Sequence, residues 1–241
     1  MHLRHLRERA RSLLVRGLSD CAVGRELGLP RETVRYWRRG GAAIVQGSGC
    51  PVCDPAVQVP PEYAYLLGLY LGDGHIALHR RGVYRLRLTL DSRYTEIIRE
   101  ATSALAEVSR GRKVCRQERP GCVVVSAYWK HWPCVFPQHG PGVKHTRPIE
   151  LRPFQEDILQ ASPGTLLRGL IHSDGCRVLN RVGAKEYPRY HFSNRSGDIK
   201  KIFCRACDAM AVRWTRSSAK EISVARARDV ARLDAVVGPK R

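Results

Sequence analysis

Apolar residues recur along the chain with two different spacings, and the spacing changes several times. Between residues 3 and 39 they lie three or four positions apart, which predicts short amphipathic helices. These helices are predicted over residues 3–15, 19–27 and 30–39. Gly17 and Gly28 separate them, and Ser19 is a typical N-cap. Two short helices joined by a glycine-containing turn, the second rich in arginine, indicate a helix-turn-helix unit.

The third of these helices carries the candidate DNA contacts of the unit. Val34 and Trp37 are three positions apart and face inward, so the polar side chains between them face outward. The candidate contacts are Arg31, Thr33, Arg35 and Arg38. The alternative is a small helical bundle with a solvated basic face.

After residue 60 the pattern alternates between helical spacing and the period of two that is typical of half-buried strands. In residues 84–90, for example, apolar side chains alternate with Arg85, Arg87 and Thr89. The first half predicts a helix ending at Asp73, strands 75–79 and 84–90, a helix 94–108 capped by Asp91 or Ser92, strands 113–117 and 122–128, and a short helix before Gly142. The second half predicts a helix ending at Asp174, strands 177–182 and 189–193, a helix from Ser196, strands 212–216 and 221–224, and a helix from about Arg226 to Gly238. Two such halves predict paired first helices and a curved antiparallel surface.

The two first helices share a nine-residue pattern. Residues 66–74 read Leu-Leu-Gly-Leu-Tyr-Leu-Gly-Asp-Gly, and residues 167–175 read Leu-Arg-Gly-Leu-Ile-His-Ser-Asp-Gly. Small residues at i and i+4 lie on one helix face and allow two helices to approach closely. The pattern therefore predicts that these two helices pack side by side.

Each pattern ends in an aspartate, where the helix dipole makes a negative charge unfavourable. If the helices pair, Asp73 and Asp174 lie together, and a divalent ion such as Mg²⁺ or Mn²⁺ would relieve their repulsion. The alternative is two unrelated helices that each end in an Asp-Gly turn.

The charge of the chain indicates a polyanionic partner. Lys and Arg number 42 against 22 Asp and Glu, a formal net charge of +20 with a pI of about 10.2. The cysteine count of nine is odd, and no signal-peptide pattern or 18-residue apolar run is present. We therefore expect a cytoplasmic, nucleoid-associated protein with no membrane partner and no disulfide framework.

Residues 41–60 are rich in Gly and Pro and are predicted to be a linker. Within it, Cys50 and Cys53 have the spacing of half a zinc knuckle. The candidate distant partners are His131 and Cys134. Cys204 and Cys207 are weaker candidates, because they lie in a predicted helix where cysteine often packs as a small apolar residue. The alternative is a surface turn that binds no metal.

At residues 66–74 and 167–175 the chain resembles the LAGLIDADG homing endonucleases in their two-repeat, single-chain form. The resemblance covers about residues 60 to 241. It implies an α+β fold, here a small all-α helix-turn-helix domain at 1–40 and a two-repeat αββαββα saddle at 61–241, with repeats at about 61–150 and 151–241. It also implies a monomer with internal pseudo-two-fold symmetry that binds double-stranded DNA.

The activity implied by the resemblance is Mg²⁺- or Mn²⁺-dependent DNA cleavage, with metal held by Asp73 and Asp174 between two scissile phosphates. Lys144 and Lys240, each in a Gly-x-Lys sequence, would supply positive charge near the metals; the alternative is a solvated lysine after a helix end. The strand residues expected to contact the duplex are Arg85, Arg87, Arg189 and His191.

Two other functions fit the same pattern. One is a transcription regulator that keeps the fold without cleaving DNA, which the added helix-turn-helix unit would suit. The other is assistance to the splicing of a group I intron, which requires RNA binding.

Overall fold

The computed structural model describes residues 2–38, 49–238 and 240, and the chain divides into two compact units, Met1–Gly49 and Cys50–Arg241. The predicted end of the third helix at residue 39 and residues 41–48 of the predicted linker lie outside the described residues. Residues 50–60, the remainder of that linker, belong to the second unit.

The first unit is built from three short helices around a small apolar cluster. Helix α1 spans His2–Val15, α2 spans Asp20–Leu27 and α3 spans Arg31–Arg38. Ser19 caps α2 by accepting a hydrogen bond from the backbone nitrogen of Ala22 at 3.3 Å. Gly28 ends α2 with a φ of 64°, a left-handed conformation that favours glycine, and turns the chain into α3. The buried cluster consists of Ala10, Leu13, Val23, Val34 and Trp37.

The second unit repeats one order of elements. Its first half comprises α4 (Glu62–Asp73), β1 (Gly74–His79), β2 (Val83–Asp91), α5 (Thr95–Val108), β3 (Val114–Arg119), β4 (Cys122–Trp129) and α6 (Trp132–Val135). Its second half comprises α7 (Pro153–Ala161), α8 (Pro163–Asp174), β5 (Gly175–Val182), β6 (Lys185–Ser193), α9 (Gly197–Ala209), β7 (Thr215–Arg216), β8 (Glu221–Val224) and α10 (Ala227–Val237). The α+β fold implied by the resemblance is therefore confirmed.

Each half contains a four-stranded antiparallel sheet, ordered β1-β2-β4-β3 in the first and β5-β6-β8-β7 in the second. The side chains of β2 alternate as predicted: Leu86, Leu88 and Leu90 are buried, while Arg85 and Arg87 are partly exposed on the other face. One face of each sheet therefore covers the core, and the opposite face remains available for a partner.

The core of the second unit surrounds α4 and α8, which are buried along most of their lengths. The largest buried side chains near them include Tyr63, Tyr70, Trp129, Trp132 and Phe136. Burial on all sides explains why α4 is apolar around almost its whole circumference. None of the helices in the described residues combines the length and apolar character needed to cross a bilayer.

Several element boundaries differ from the sequence pattern. Helix α7 was not predicted; it is short and stands directly before α8, separated by Ser162. Strand β6 begins at Lys185, before the predicted start, because it pairs with β5 from Lys185 onward. Pro188 is tolerated there because β8 pairs only with residues 190–193, which leaves Pro188 at an edge. Strand β7 has only two residues. The predicted cap of α5 is also wrong, since Asp91 instead accepts hydrogen bonds from the backbone and guanidinium of Arg93.

Candidate metal centre and nucleic-acid interface

Helices α4 and α8 pack in backbone contact, which their glycines make possible. A Cβ atom on Gly68 would lie 2.6 Å from the carbonyl oxygen of Leu166 and from the backbone nitrogen of Leu170. A Cβ atom on Gly169 would lie 2.2 Å from the carbonyl oxygen of Tyr65. Any larger side chain at these two positions would push the helices apart. The close pairing expected from the spacing of small residues is present in the structure.

This contact brings the carboxylates of Asp73 and Asp174 into one partly buried region. A Cβ atom on Gly72 would lie 3.0 Å from Cγ of Asp174, so the end of α8 reaches the end of α4. Burial, together with the charge of Asp174, raises the pKa of Asp73 to about 6. Burial also raises the pKa of Asp174, while Lys144 and Lys240 oppose the increase at both carboxyl groups. The region concentrates negative charge that a bound cation would stabilise.

Lys144 lies at the negative end of α4. Its Nζ donates to the carbonyl oxygens of Tyr70, of Leu71 at 2.9 Å and of Gly72 at 2.8 Å, which uses all three ammonium donors. Burial lowers the pKa of Lys144 to about 8, although both carboxylates favour the charged form. The ammonium group therefore offsets the helix dipole at the point where Asp73 adds negative charge.

Lys240 occupies the equivalent place at the end of α8. Its Nζ donates to the carbonyl oxygens of Gly175 at 2.8 Å and Ile171 at 3.3 Å. The same atom lies 5.4 Å from the ring centroid of Tyr94. Burial lowers the pKa of Lys240, while the nearby carboxylates favour its charged form. Each half of the second unit thus places one lysine at the end of its aspartate-bearing helix.

Sequence reasoning missed one residue of this centre, Asn194. Its Nδ2 donates to Oδ2 of Asp174 at 2.5 Å and so orients that carboxylate. Asp73 instead borders a cavity of about 240 Å³ that is also lined by Asp91 and Lys240. In the sequence, Asn194 reads as an ordinary turn residue between β6 and α9, and its role depends on where α8 ends.

His172, the sixth residue of the second motif, is buried beside the centre and is not part of it. Its Nε2 lies 3.1 Å from the carbonyl oxygen of Val237, and its Nδ1 lies 2.9 Å from the hydroxyl of Tyr65. A carbonyl only accepts, so Nε2 carries the proton and Nδ1 accepts from the tyrosine. Burial lowers the pKa of His172 to about 4, and the neutral ring joins the two helices to the end of α10.

The four strand residues expected to contact DNA form two equivalent pairs. Gly74 of β1 is opposite Leu88, and Gly175 of β5 is opposite Phe192. Counting back from these partners, Arg85 corresponds to Arg189, and Arg87 corresponds to His191. All four lie on the sheet faces that point away from the core.

Their polar contacts leave hydrogen-bonding capacity unused. Arg85 donates to Oγ of Ser126 at 2.9 Å and lies 5.5 Å from the ring centroid of Tyr128. His191 lies 2.6 Å from Oε1 of Glu221. In the described part of the chain, the Nε atoms of Arg85 and Arg189 are buried without a hydrogen-bond partner. Donors in this condition favour a ligand with acceptor oxygens.

The candidate contacts in the first unit are less uniform than the sequence implied. Arg31 is exposed, and Thr33 is half-buried. Arg35 lies 3.9 Å from Glu32, and Arg38 lies 3.2 Å from Asp20. Arg38 is therefore partly engaged within the unit, although its side chain remains 59% exposed.

The structure also brings together Cys50, Cys53, His131 and Cys134, whose candidate ligand atoms all lie within 4.8 Å of one another. Cys204 and Cys207 lie on α9 in the apolar core, as expected for packing residues. No disulfide joins any of the nine cysteines, all of which lie in the described residues.

The donors around Asp73 and Asp174 fit a hard divalent cation. Two half-buried carboxylates supply oxygen ligands of the kind that Mg²⁺ and Mn²⁺ accept. Burial raises the pKa of both carboxyl groups, and a bound cation would favour their charged forms.

Comparison with known proteins places the fold. No family model and no curated protein matches the sequence. The crystal structure of I-DmoI in complex with DNA and Mn is similar to 76% of this chain and 99% of its own, with a TM-score of 0.53 and 17% identity. Variants of the homing endonuclease I-DmoI match 73% of this chain and 95% of theirs, with a TM-score of 0.51 and 17% identity. The N-terminal LAGLIDADG domain of DUF199/WhiA matches 80% and 89%, at a TM-score of 0.48 and 13% identity, which is too weak to add to the assignment. Over the matched region this chain has the LAGLIDADG homing-endonuclease fold.

Proposed function

We propose that this chain is a divalent-metal-dependent endonuclease that acts on double-stranded DNA. The observation that carries the proposal is the pair of half-buried carboxylates, Asp73 and Asp174, at the ends of two helices in backbone contact. Two aspartate-bearing helix ends side by side suit a substrate with two antiparallel strands.

In this proposal the chain itself supplies the ligands and the orientation. Asp73 and Asp174 would hold Mg²⁺ or Mn²⁺. Such an ion, when bound, supplies Lewis acidity that polarises phosphoryl oxygens and activates water. Asn194 fixes the carboxylate of Asp174, so that its ligand oxygen is oriented before substrate arrives.

Lys144 and Lys240 contribute in two ways. Their hydrogen bonds to helix-end carbonyls hold the ends of α4 and α8 in place. Their positive charges also favour phosphate binding and stabilise negative charge that develops during hydrolysis. Because all three donors of Lys144 are engaged, its stabilisation of the substrate would be electrostatic rather than by direct hydrogen bonding.

The sheet faces of the second unit would contact the duplex. Arg85, Arg87, Arg189 and His191 lie there in equivalent pairs, and the net charge of +20 favours a polyanion. I-DmoI, whose fold this chain shares, has been crystallised with DNA and Mn. In the first unit, Arg31, Thr33, Arg35 and Arg38 would contact a separate major groove.

The test is cleavage of a supercoiled plasmid that carries a site selected by binding from a random library. Wild-type protein with Mg²⁺ or Mn²⁺ should linearise it. Asp73→Asn and Asp174→Asn should each nick or stall, and the double variant should be inactive, since an amide removes the charge that holds the metal. Asp157→Asn, which changes an exposed carboxylate on α7, should cut like the wild type.

Binding measured on the same plasmid separates the alternatives. All the variants should bind the site with affinities close to that of the wild type. Wild-type protein that binds the site tightly but never cuts it in either metal would exclude the endonuclease and leave a DNA-binding regulator. The three-helix first unit, with its basic third helix, is the observation that favours this second function.

A further inference from the structure

The second unit contains a cluster of soft metal ligands that the proposed nuclease chemistry does not use. Sγ of Cys53 lies 3.5 Å from Nδ1 of His131 and 3.6 Å from Sγ of Cys134. Sγ of Cys134 lies 3.7 Å from the same Nδ1, and Cys50 completes a group whose ligand atoms lie within 4.8 Å of one another. The four side chains converge on a single point.

These separations match the edges of a tetrahedron around zinc. With Zn–S of about 2.3 Å and Zn–N of about 2.0 Å, the edges are about 3.8 Å between sulfurs and about 3.5 Å between sulfur and nitrogen. A disulfide would need sulfurs about 2.05 Å apart, far closer than the 3.6 Å observed between Cys53 and Cys134. The geometry therefore fits a shared ion and not a covalent bond.

Two local turns with the same i, i+3 spacing present the ligands. In the first, the backbone nitrogens of Cys53 and Asp54 bond to the carbonyl oxygen of Cys50 at 3.1 and 2.9 Å. In the second, the backbone nitrogen of Cys134 bonds to the carbonyl oxygen of His131 at 3.0 Å, at the start of α6. The turns are about eighty residues apart in sequence, so it is the fold of the second unit, and not the local geometry of one turn, that brings the four side chains together.

A comparison within the chain separates ligands from packing cysteines. Cys204 and Cys207 have the same spacing, but they lie on α9 with their side chains in the apolar core. Cys53 is exposed, and His131 and Cys134 are partly exposed, which is unusual for cysteines that serve only to fill space.

We propose that Cys50, Cys53, His131 and Cys134 bind one structural Zn²⁺ ion. Three thiols each release a proton to solvent and bind as thiolates, and neutral His131 binds through Nδ1, with no change in oxidation state. Four protein ligands leave no open position, so the ion is structural and takes no part in hydrolysis. Soft thiolates also distinguish this site from the oxygen ligands at Asp73 and Asp174.

The ion would join the chain just before α4 to the segment just after β4. This link fixes where α4 starts, at the opposite end of that helix from Asp73. The proposal does not depend on DNA cleavage, because it concerns ligands that lie in a separate part of the second unit.

The test is the metal content of the full chain purified under reducing conditions. We expect about one zinc per chain in the wild type and in Cys176→Ser, which alters an exposed cysteine of β5. Cys53→Ser and Cys134→Ser should lose most of the zinc, and their Tm should fall by about 5 °C or more. The double variant of Asp73 and Asp174 to Asn should keep its zinc.

Cobalt substitution provides a second measurement, which does not depend on variants that lose the metal and unfold. Co²⁺ in the wild type should give the intense visible bands of a tetrahedral site and a thiolate charge-transfer band. His131→Cys should keep the metal and strengthen the charge-transfer band, since it adds a fourth thiolate. The proposal would be overturned by any of three results. These are wild-type protein that contains no zinc, wild-type protein that contains iron in place of zinc, and a cobalt spectrum of His131→Cys that is unchanged from the wild type.

Discussion

Replacing Asp73 with asparagine should stabilise the metal-free protein, even though it removes a residue of the proposed centre. The pKa of this carboxyl is about 6 in the folded protein, against 3.8 for an ordinary aspartate, so the folded state holds the proton more tightly than the unfolded state. Stability therefore falls as the pH rises from about 4 to above 6. At about 1.4 kcal/mol for each pKa unit, the ionised carboxylate costs the fold about 3 kcal/mol at pH 7 and above.

Asparagine removes the free-energy cost of the ionised carboxylate but leaves a polar amide at the same half-buried position. We therefore expect Asp73→Asn to raise the free energy of unfolding by about 1–3 kcal/mol at pH 7.5, and by close to zero at pH 4, where wild-type Asp73 is already protonated. The lost attraction to Lys144 is contained in this figure, because the pKa reflects every neighbour.

The assay is urea unfolding of the full chain without divalent ions, followed by the fluorescence of the buried Trp129 and Trp132 in the second unit. Asp157→Asn is the matched control, and its exposed carboxylate should change stability by less than about 0.5 kcal/mol. Equal stability of Asp73→Asn and wild type at pH 7.5, or a gain of the same size at pH 4, would refute the account of a strained carboxylate pair.

Three further outcomes are expected. Mg²⁺ should raise the Tm of the wild type and leave that of Asp73→Asn nearly unchanged, since only the wild type gains a tightly bound ion; thermal scans with and without Mg²⁺ measure this. Gly68→Ala should cost about 2–3 kcal/mol, because its Cβ would overlap backbone atoms of α8, whereas Gly197→Ala, with no atom within 4 Å, should be close to neutral in urea unfolding. In gel-shift titrations, DNA affinity should fall roughly 10³-fold between 50 and 200 mM salt, and deleting residues 1–40 should relax sequence preference, as should Arg35→Ala.

The motif at the centre of the fold was predictable from sequence because it repeats. Gly68 and Gly169 each lie five residues before the aspartate of their own helix, and close helix pairing accounts for the same spacing in both copies. The strand with Arg85 was equally accessible, since a period of two with one basic face is typical of a half-buried antiparallel strand.

The residues that sequence reasoning missed act through contacts that no local pattern encodes. Asn194 orients Asp174 only because the turn after β6 meets the end of α8. The engagement of all three donors of Lys144 with the carbonyls of α4 likewise depends on tertiary placement. The sequence pattern does not predict helix α7, because it is a single short segment whose apolar positions do not extend into α8.

The backbone contact between α4 and α8 separates two properties of the proposed endonuclease, which are the DNA sequence that it binds and the spacing of its two aspartates. Gly68 and Gly169 bring main-chain atoms of α4 and α8 into contact, and this contact sets the separation of the two helices that carry Asp73 and Asp174. In the proposed endonuclease, substitutions at the outward-facing positions of β2 and β6 would alter which DNA sequence is bound, while the offset between the two aspartates stays constant. In that proposal the DNA sequence that is recognised could change, while the distance between the two cleaved positions would stay fixed.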